Sequence, residues 1–302
     1  MVKLGDRGPE AAKVQKFLSL LGYDLIVDGV FGGKSQRSLR AFQKKFGLEV
    51  DGIAGPKTMI ALEAAQKRTA KEEKSPSISK NYGDLTVDKS AHLPKEQYIR
   101  QSFKKTQIFI HFTASGPNGK NVINYWDKTA ERVATPFVVN GREDGSDGLV
   151  YECFNPDHWG FHLGIKGTNG RLDKASVGIE ICAWGRLEKK NGKFYSWTDT
   201  EVPSNEVCTL SEAWRERIYY QKYSDQQLKN LEKLIMWIVK EYDIPVQTKE
   251  FNRDWAEYNP NVIKDTLPGI WTHTNVRKDK QDTYPDDRLF DMLNRISKKV
   301  NG

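Results

Sequence analysis

The chain has little cysteine. Its 302 residues include three, Cys153, Cys182 and Cys208. An odd count with no Cys-x-x-Cys spacing argues against a disulfide framework, and buried free thiols are expected. Long hydrophobic runs are also missing. No stretch approaches the roughly 18 residues that a membrane span needs, so no membrane partner is expected. The start, Met1-Val-Lys-Leu-Gly5, lacks the apolar core of a secretory signal. The expectation is a chain made in the cytoplasm without a Sec-type export route. A strong excess of either charge is absent too. The net charge is +7, of which residues 1–68 supply +5. That balance favours loose association with polyanions. No nucleic-acid motif appears, however, and the basic residues form no long run. At 38% hydrophobic and 29% charged residues, the chain can fill a sizeable core in one or two domains.

What is present begins with an internal repeat. Asp28-Gly-Val-Phe-Gly-Gly-Lys-Ser35 matches Asp51-Gly-Ile-Ala-Gly-Pro-Lys-Thr58 at an offset of 23 residues. Each copy reads as an Asp-Gly turn leading into a helix, with Ser35 and Thr58 placed to cap it. Val14, Phe17, Leu18 and Leu21 fall at helical spacing before the first copy, as do Leu39, Phe42 and Phe46 between the copies. Residues 1–66 are therefore expected to form a small all-α three-helix domain. Residues 67–82 are polar and read as a linker. A second domain is expected over 83–302.

The whole N-terminal pattern includes Leu4-Gly-Asp-Arg-Gly-Pro9, Gln15, Phe17, Leu18, Gly22, Phe42-Gln43 and both Asp-Gly turns. It resembles the peptidoglycan-binding domain found on many wall hydrolases. That implies peptidoglycan as a partner, and an anionic wall suits the basic charge. Asp28, Gly29, Phe31 and Gly32 read first as turn-formers and second as wall contacts.

In the second domain strands alternate with helices. Ile108–Phe112, Pro136–Asn140, Leu149–Phe154 and Val177–Cys182 read as strands. Asn121–Lys128 and Asp287–Ile296 read as helices. Ser224 and Gln227 form a capping box ahead of a helix with Leu228, Leu231, Leu234, Ile235, Ile238 and Val239 on one face. The natural packing is α/β, a mixed sheet flanked by helices. Residues 184–222 suggest an aromatic hairpin, either walling a groove or covering a satellite hydrophobic cluster.

On the first strand Ile108, Ile110 and Phe112 share one face, and Phe109, His111 and Thr113 the other. A lone histidine there reads as a satisfied core residue as readily as a ligand. In Ser176-Val-Gly-Ile-Glu-Ile181, Glu180 is a carboxylate in a buried strand, which is expensive unless it is paired or functional. Gly178, one pleat away, leaves room for a ligand. His111, His273 and Asp282 offer two imidazoles and a carboxylate, a set suited to a catalytic zinc with an open fourth position. On spacing alone that set is weak.

The wording around those residues makes it specific. An apolar strand ending His111-Phe-Thr-Ala-Ser115, then His273, Lys280, Asp282 and Pro285, resembles the type-2 zinc-dependent N-acetylmuramoyl-L-alanine amidases, a family that includes the peptidoglycan recognition proteins. The resemblance implies one zinc ion on His111, His273 and Asp282. It also implies proton transfer by Glu180, oxyanion stabilisation by Lys280, and substrate contact by His162 and Thr113. It further implies cleavage between N-acetylmuramic acid and L-alanine. A monomer is expected, though the sequence alone does not fix the oligomeric state. Small phage members carry a catalytic tyrosine where this chain has Ala134-Thr-Pro-Phe137, so Thr135 and Pro136 stand in the Tyr-His positions and the tyrosine role is vacant. Glu180 agrees with the glutamate branch. The combination resembles a phage or prophage endolysin that waits in the host cytoplasm before lysis. A bacterial autolysin, a non-catalytic recognition protein and a glycosidase are the alternatives.

Overall fold

The computed structural model describes residues 1–23, 25–72, 80–129, 131–142 and 145–302; for 67–72 it describes the backbone alone. Most of the segment read as a linker, 73–79, therefore lies outside the described residues. The chain divides into two compact units: residues 1–79 with the short segments 99–102 and 166–171, and the rest of the chain from Lys80 on.

The first unit carries three helices, α1 (Pro9–Leu20), α2 (Gly33–Lys45) and α3 (Pro56–Glu72). Pro9 and Pro56 open α1 and α3, where a missing N–H costs nothing. Val14, Leu18, Phe31, Leu39, Phe42 and Leu62 fill the core without solvent contact. The sequence repeat becomes a repeated hydrogen-bond cluster. Gln15 Nε2 donates to Asp28 Oδ1, Val30 O and Ser35 Oγ, while its Oε1 accepts from Gly29 N–H. Gln43 makes the same four bonds to Asp51, Ile53, Thr58 and Gly52. Two expectations are corrected here. Ser35 and Thr58 cap no helix; Gly32 holds the N-cap of α2, and both hydroxyls turn inward to a buried glutamine. Phe31 is fully buried, so its ring is core rather than wall contact. Asp28 and Gly29 spend the groups named above on the turn, and Gly32 N–H donates to Val30 O. Helix α3 runs on to Glu72, six residues past the expected end of the domain at Gln66.

The second unit is α/β. In chain order its strands and helices are β1 (Val87–Asp88), β2 (Gln107–Phe112), α4 (Gly119–Lys128), β3 (Phe137–Val139), β4 (Val150–Glu152), α5 (Arg171–Ala175) and β5 (Ser176–Ile181). Five strands outside the main sheet follow: β6 (Glu188–Lys190), β7 (Lys193–Tyr195), β8 (Glu201–Val202), β9 (Val207–Trp214) and β10 (Arg217–Gln221). The chain closes with α6 (Asp225–Tyr242), α7 (Pro260–Lys264), β11 (Gly269–Thr272), α8 (His273–Val276) and α9 (Asp287–Asn301). The main sheet runs β1-β4-β3-β5-β2-β11, parallel except for the antiparallel pair β3–β4.

The central strands bury both faces. Ile108, Ile110, Val177 and Ile179 pack with Leu231, Leu234, Ile235 and Ile238 of α6 and with Leu293 and Ile296 of α9. Phe109, on the opposite face, packs with Leu163 and Leu172. The capping box of Ser224 and Gln227 starts α6 as expected. All three cysteines are free. Tyr82 and Lys80 lie inside the segment read as a linker, yet Tyr82 is buried and donates to Glu152, and Lys80 pairs with Asp157 and Glu241.

Candidate metal centre

Strand geometry brings the site together. β2 and β5 are parallel neighbours with His111 opposite Glu180. β11 lies on the other side of β2 and ends at Thr272, one residue before His273. Asn275 Oδ1 accepts from Thr272 N–H at 2.8 Å, turning strand into helix at that point. Thr274 N–H donates to the Asp282 carbonyl, which folds the 277–282 loop back over the start of α8.

Three buried atoms then converge. His111 Nδ1 lies 2.9 Å from Asp282 Oδ2, His273 Nδ1 lies 3.0 Å from the same oxygen, and the two nitrogens are 3.2 Å apart. Ligand bonds of about 2.0–2.1 Å in a tetrahedron put neighbouring ligands about 3.3 Å apart, close to these edges. The outer atoms of the rings are tied down. His273 Nε2 meets Leu163 O at 2.9 Å, and His111 Nε2 meets His162 Nδ1 at 2.9 Å. With Nε2 donating outward, each Nδ1 keeps its lone pair for the shared point. Burial lowers the His111 pKa to about 4 and keeps the ring neutral. Burial opposes charge on Asp282, but the neighbouring His273 and His111 hold its carboxyl low. Two neutral imidazoles and a carboxylate, aimed at one point and fixed from behind, fit a zinc ion.

The rest of the cleft, of about 420 Å³, includes Glu180 and Lys280. Burial, reinforced by the charge of Asp282, pushes the Glu180 carboxyl well up, against the pull of Lys280. Its Oε2 is buried with no hydrogen-bond partner. Thr113 reaches the cleft as well, but its Oγ1 bonds to Gly116 O and to Ala183 O.

Family models now match both units. Residues 102–285 match N-acetylmuramoyl-L-alanine amidase, more than half of the chain. The chain belongs to this amidase family. Residues 7–62 match a peptidoglycan binding domain. Among solved structures, the Burkholderia AP3 phage endolysin is 34% identical over 24% of this chain and 32% of its own, with a TM-score of 0.21. The chain thus spans about a third of that relative. PlyL is 13% identical over 71% of this chain and 97% of its own, at 0.38. The Staphylococcus aureus hydrolase AmiA is 17% identical over 72% and 85%, at 0.38. No curated protein sequence matches.

Within the amidase unit one expectation changes. The space beside Gly178 is filled: a Cβ there would lie 2.7 Å from Thr135 Cγ2 and 3.0 Å from His162 Nδ1. His162 also lines the cleft, with both ring nitrogens occupied, one by His111 Nε2 and the other by Ser176 Oγ, each at 2.9 Å. Sequence reading missed Ser176 and Asp173. Asp173 Oδ1 accepts from the backbone N–H of His162 and Leu163, fixing the segment that braces both imidazoles. A buried Asp three residues before a strand serine carries no recognisable signal until the 159–164 segment is folded over it.

Proposed function

We propose that the chain is a zinc-dependent peptidoglycan amidase of endolysin type, cleaving the bond between the lactyl group of N-acetylmuramic acid and L-alanine. The observation that carries it is the triangle of His111 Nδ1, His273 Nδ1 and Asp282 Oδ2, in one cleft with Glu180 and Lys280, within a chain of the amidase family. His111, His273 and Asp282 would hold a zinc ion, which would supply an activated water and polarise the scissile carbonyl. Glu180, in the same cleft, would take the proton that the water gives up and pass it to the leaving nitrogen. Lys280, which lines the same cleft, would donate to the oxygen on which charge develops. His162 and Ser176 orient His111. Residues 7–62 hold the enzyme to the wall and raise its local concentration there.

The test is product chemistry. Digested wall should show new L-alanine amino groups and no new reducing ends, with intact stem peptides and intact glycan strands by mass spectrometry. Disaccharide-linked peptides would instead mark a glycosidase. A strong chelator should abolish activity and zinc should restore it.

A further inference from the structure

The segment 184–221, outside the main sheet, returns to the cleft with two tryptophans. Trp184 crosses the loop that leaves β2: a Cβ on Gly116 would fall 2.8 Å from its Cζ2. Trp197, between β7 and β8, donates its Nε1–H to Ala114 O at 2.6 Å. The turn beneath it is bonded to itself. Ser196 Oγ lies 2.9 Å from Thr198 Oγ1 and accepts from the N–H of Thr198 and Thr200. Trp197 is thus held at both ends, yet it remains 61% exposed. Its one polar atom is satisfied, so it shows the cleft only ring carbon. A large ring fixed in this way has already lost the freedom that binding would otherwise remove.

The ligand chemistry follows from the bond at stake. The carbonyl under attack belongs to the lactyl group of a sugar, so a group at the rim meets either glycan or stem peptide. Stem peptides carry carboxylates and amines, which call for polar partners. A pyranose presents a face of C–H groups, which suits a carbon ring with no free donor. We propose that Trp197 is a stacking platform for the N-acetylated amino-sugar strand of the substrate; the choice of ligand rests on the amidase reading.

The probe is a peptide-free glycan tetrasaccharide of the wall, which an amidase cannot cut. All eight tryptophans lie beyond residue 80, so indole N–H resonances of the full zinc-loaded chain report on the second unit alone. Glycan should shift the Trp184 and Trp197 resonances, and free stem peptide should not. With Trp184 as the reporter, Trp197→Ala should weaken glycan binding about tenfold, the usual scale for losing an aromatic anchor. Trp197→Phe keeps a ring but loses the bond to Ala114, so it should stay within about threefold of the wild type. The exposure of Trp197 makes both variants safe for folding. Unmoved resonances, an alanine variant that binds like the wild type, or a phenylalanine variant as weak as alanine would each overturn the platform. If the wild type binds glycan through Trp197 but releases no stem peptide, the amidase reading fails and the platform stands. If it releases stem peptide while Trp197→Ala binds glycan normally, only the platform falls.

Discussion

His162 Nδ1 lies 2.9 Å from His111 Nε2, and this contact continues through His162 Nε2 to Ser176 Oγ. The relay has one consistent direction when His111 Nδ1 is a ligand: each Nε2 donates outward, and Ser176 Oγ passes its own hydrogen toward Asp173 O. Burial, with the neighbouring His111 and His273, keeps His162 well below its usual pKa and therefore neutral, so it can accept from His111.

His162→Ala should therefore weaken zinc binding by about 10- to 100-fold, the range for partners that orient metal ligands. His111→Ala should abolish stoichiometric zinc. Metal titration against a competing chelator separates the two. A His162→Ala protein with wild-type zinc affinity would show that the relay orients nothing.

Glu180 should behave differently. It lies opposite His111 across the strand pair but is not one of the three residues whose ligand atoms converge. Glu180→Gln keeps the shape and should keep zinc, while turnover falls by about 100- to 10,000-fold, as for a lost proton shuttle. Loss of zinc would make Glu180 part of the metal site. Thr135→Ala should do far less, because Thr135 Oγ1 is spent on Phe137 O.

Much of this site was legible in sequence because strand alternation is strict. With Ile108 and Ile110 in one core, His111 had to join Phe109 on the other face, and Glu180 had to face away from Ile179. His273 and Asp282 were readable only through their family-like wording, since nothing local says that the 277–282 loop folds back over the start of α8. The brace behind the ligands was not legible. It depends on where the 159–164 segment lies, and the glycine that appeared to leave room for a ligand instead makes room for His162. The N-terminal turns show the same limit. Their Asp-Gly signals were clear, but the residues that bind them, Gln15 and Gln43, come from preceding helices.

Gln15 should be a stability determinant of the first unit. It is almost fully buried and satisfies Asp28, Gly29, Val30 and Ser35. Gln15→Ala takes the partner from Gly29 N–H and Ser35 Oγ, while Val30 O keeps Gly32 N–H and Asp28 keeps Val30 N–H, and should cost about 2–3 kcal/mol. Hydrogen exchange of the α1–α3 amides should accelerate accordingly, with the amidase unit unchanged. Exchange as slow as in the wild type would mean that water replaces the glutamine at no cost.

Lys105 sets a pH dependence of the second unit. Its ammonium is buried and donates to His158 O and Lys174 O, with no carboxylate in contact. Burial pulls its pKa from the usual 10.5 down to about 7, against the weaker pull of Asp157 and Asp173. From pH 7 to 10.5 the unfolded chain therefore holds a proton that the folded chain lacks. Stability from this group rises with pH across that window, by up to about 1.4 kcal/mol per unit, and is lowest below pH 7. Lys105→Met removes the titration and leaves two carbonyls unmatched at every pH. The stability of the variant relative to wild type should therefore be most favourable near pH 7 and decline steadily toward about pH 9 in urea unfolding. Buried tyrosines titrate higher and are common to both proteins, so they cancel in the difference. A difference that stays flat would show that Lys105 remains charged in the fold, its charge carried by the two carbonyls.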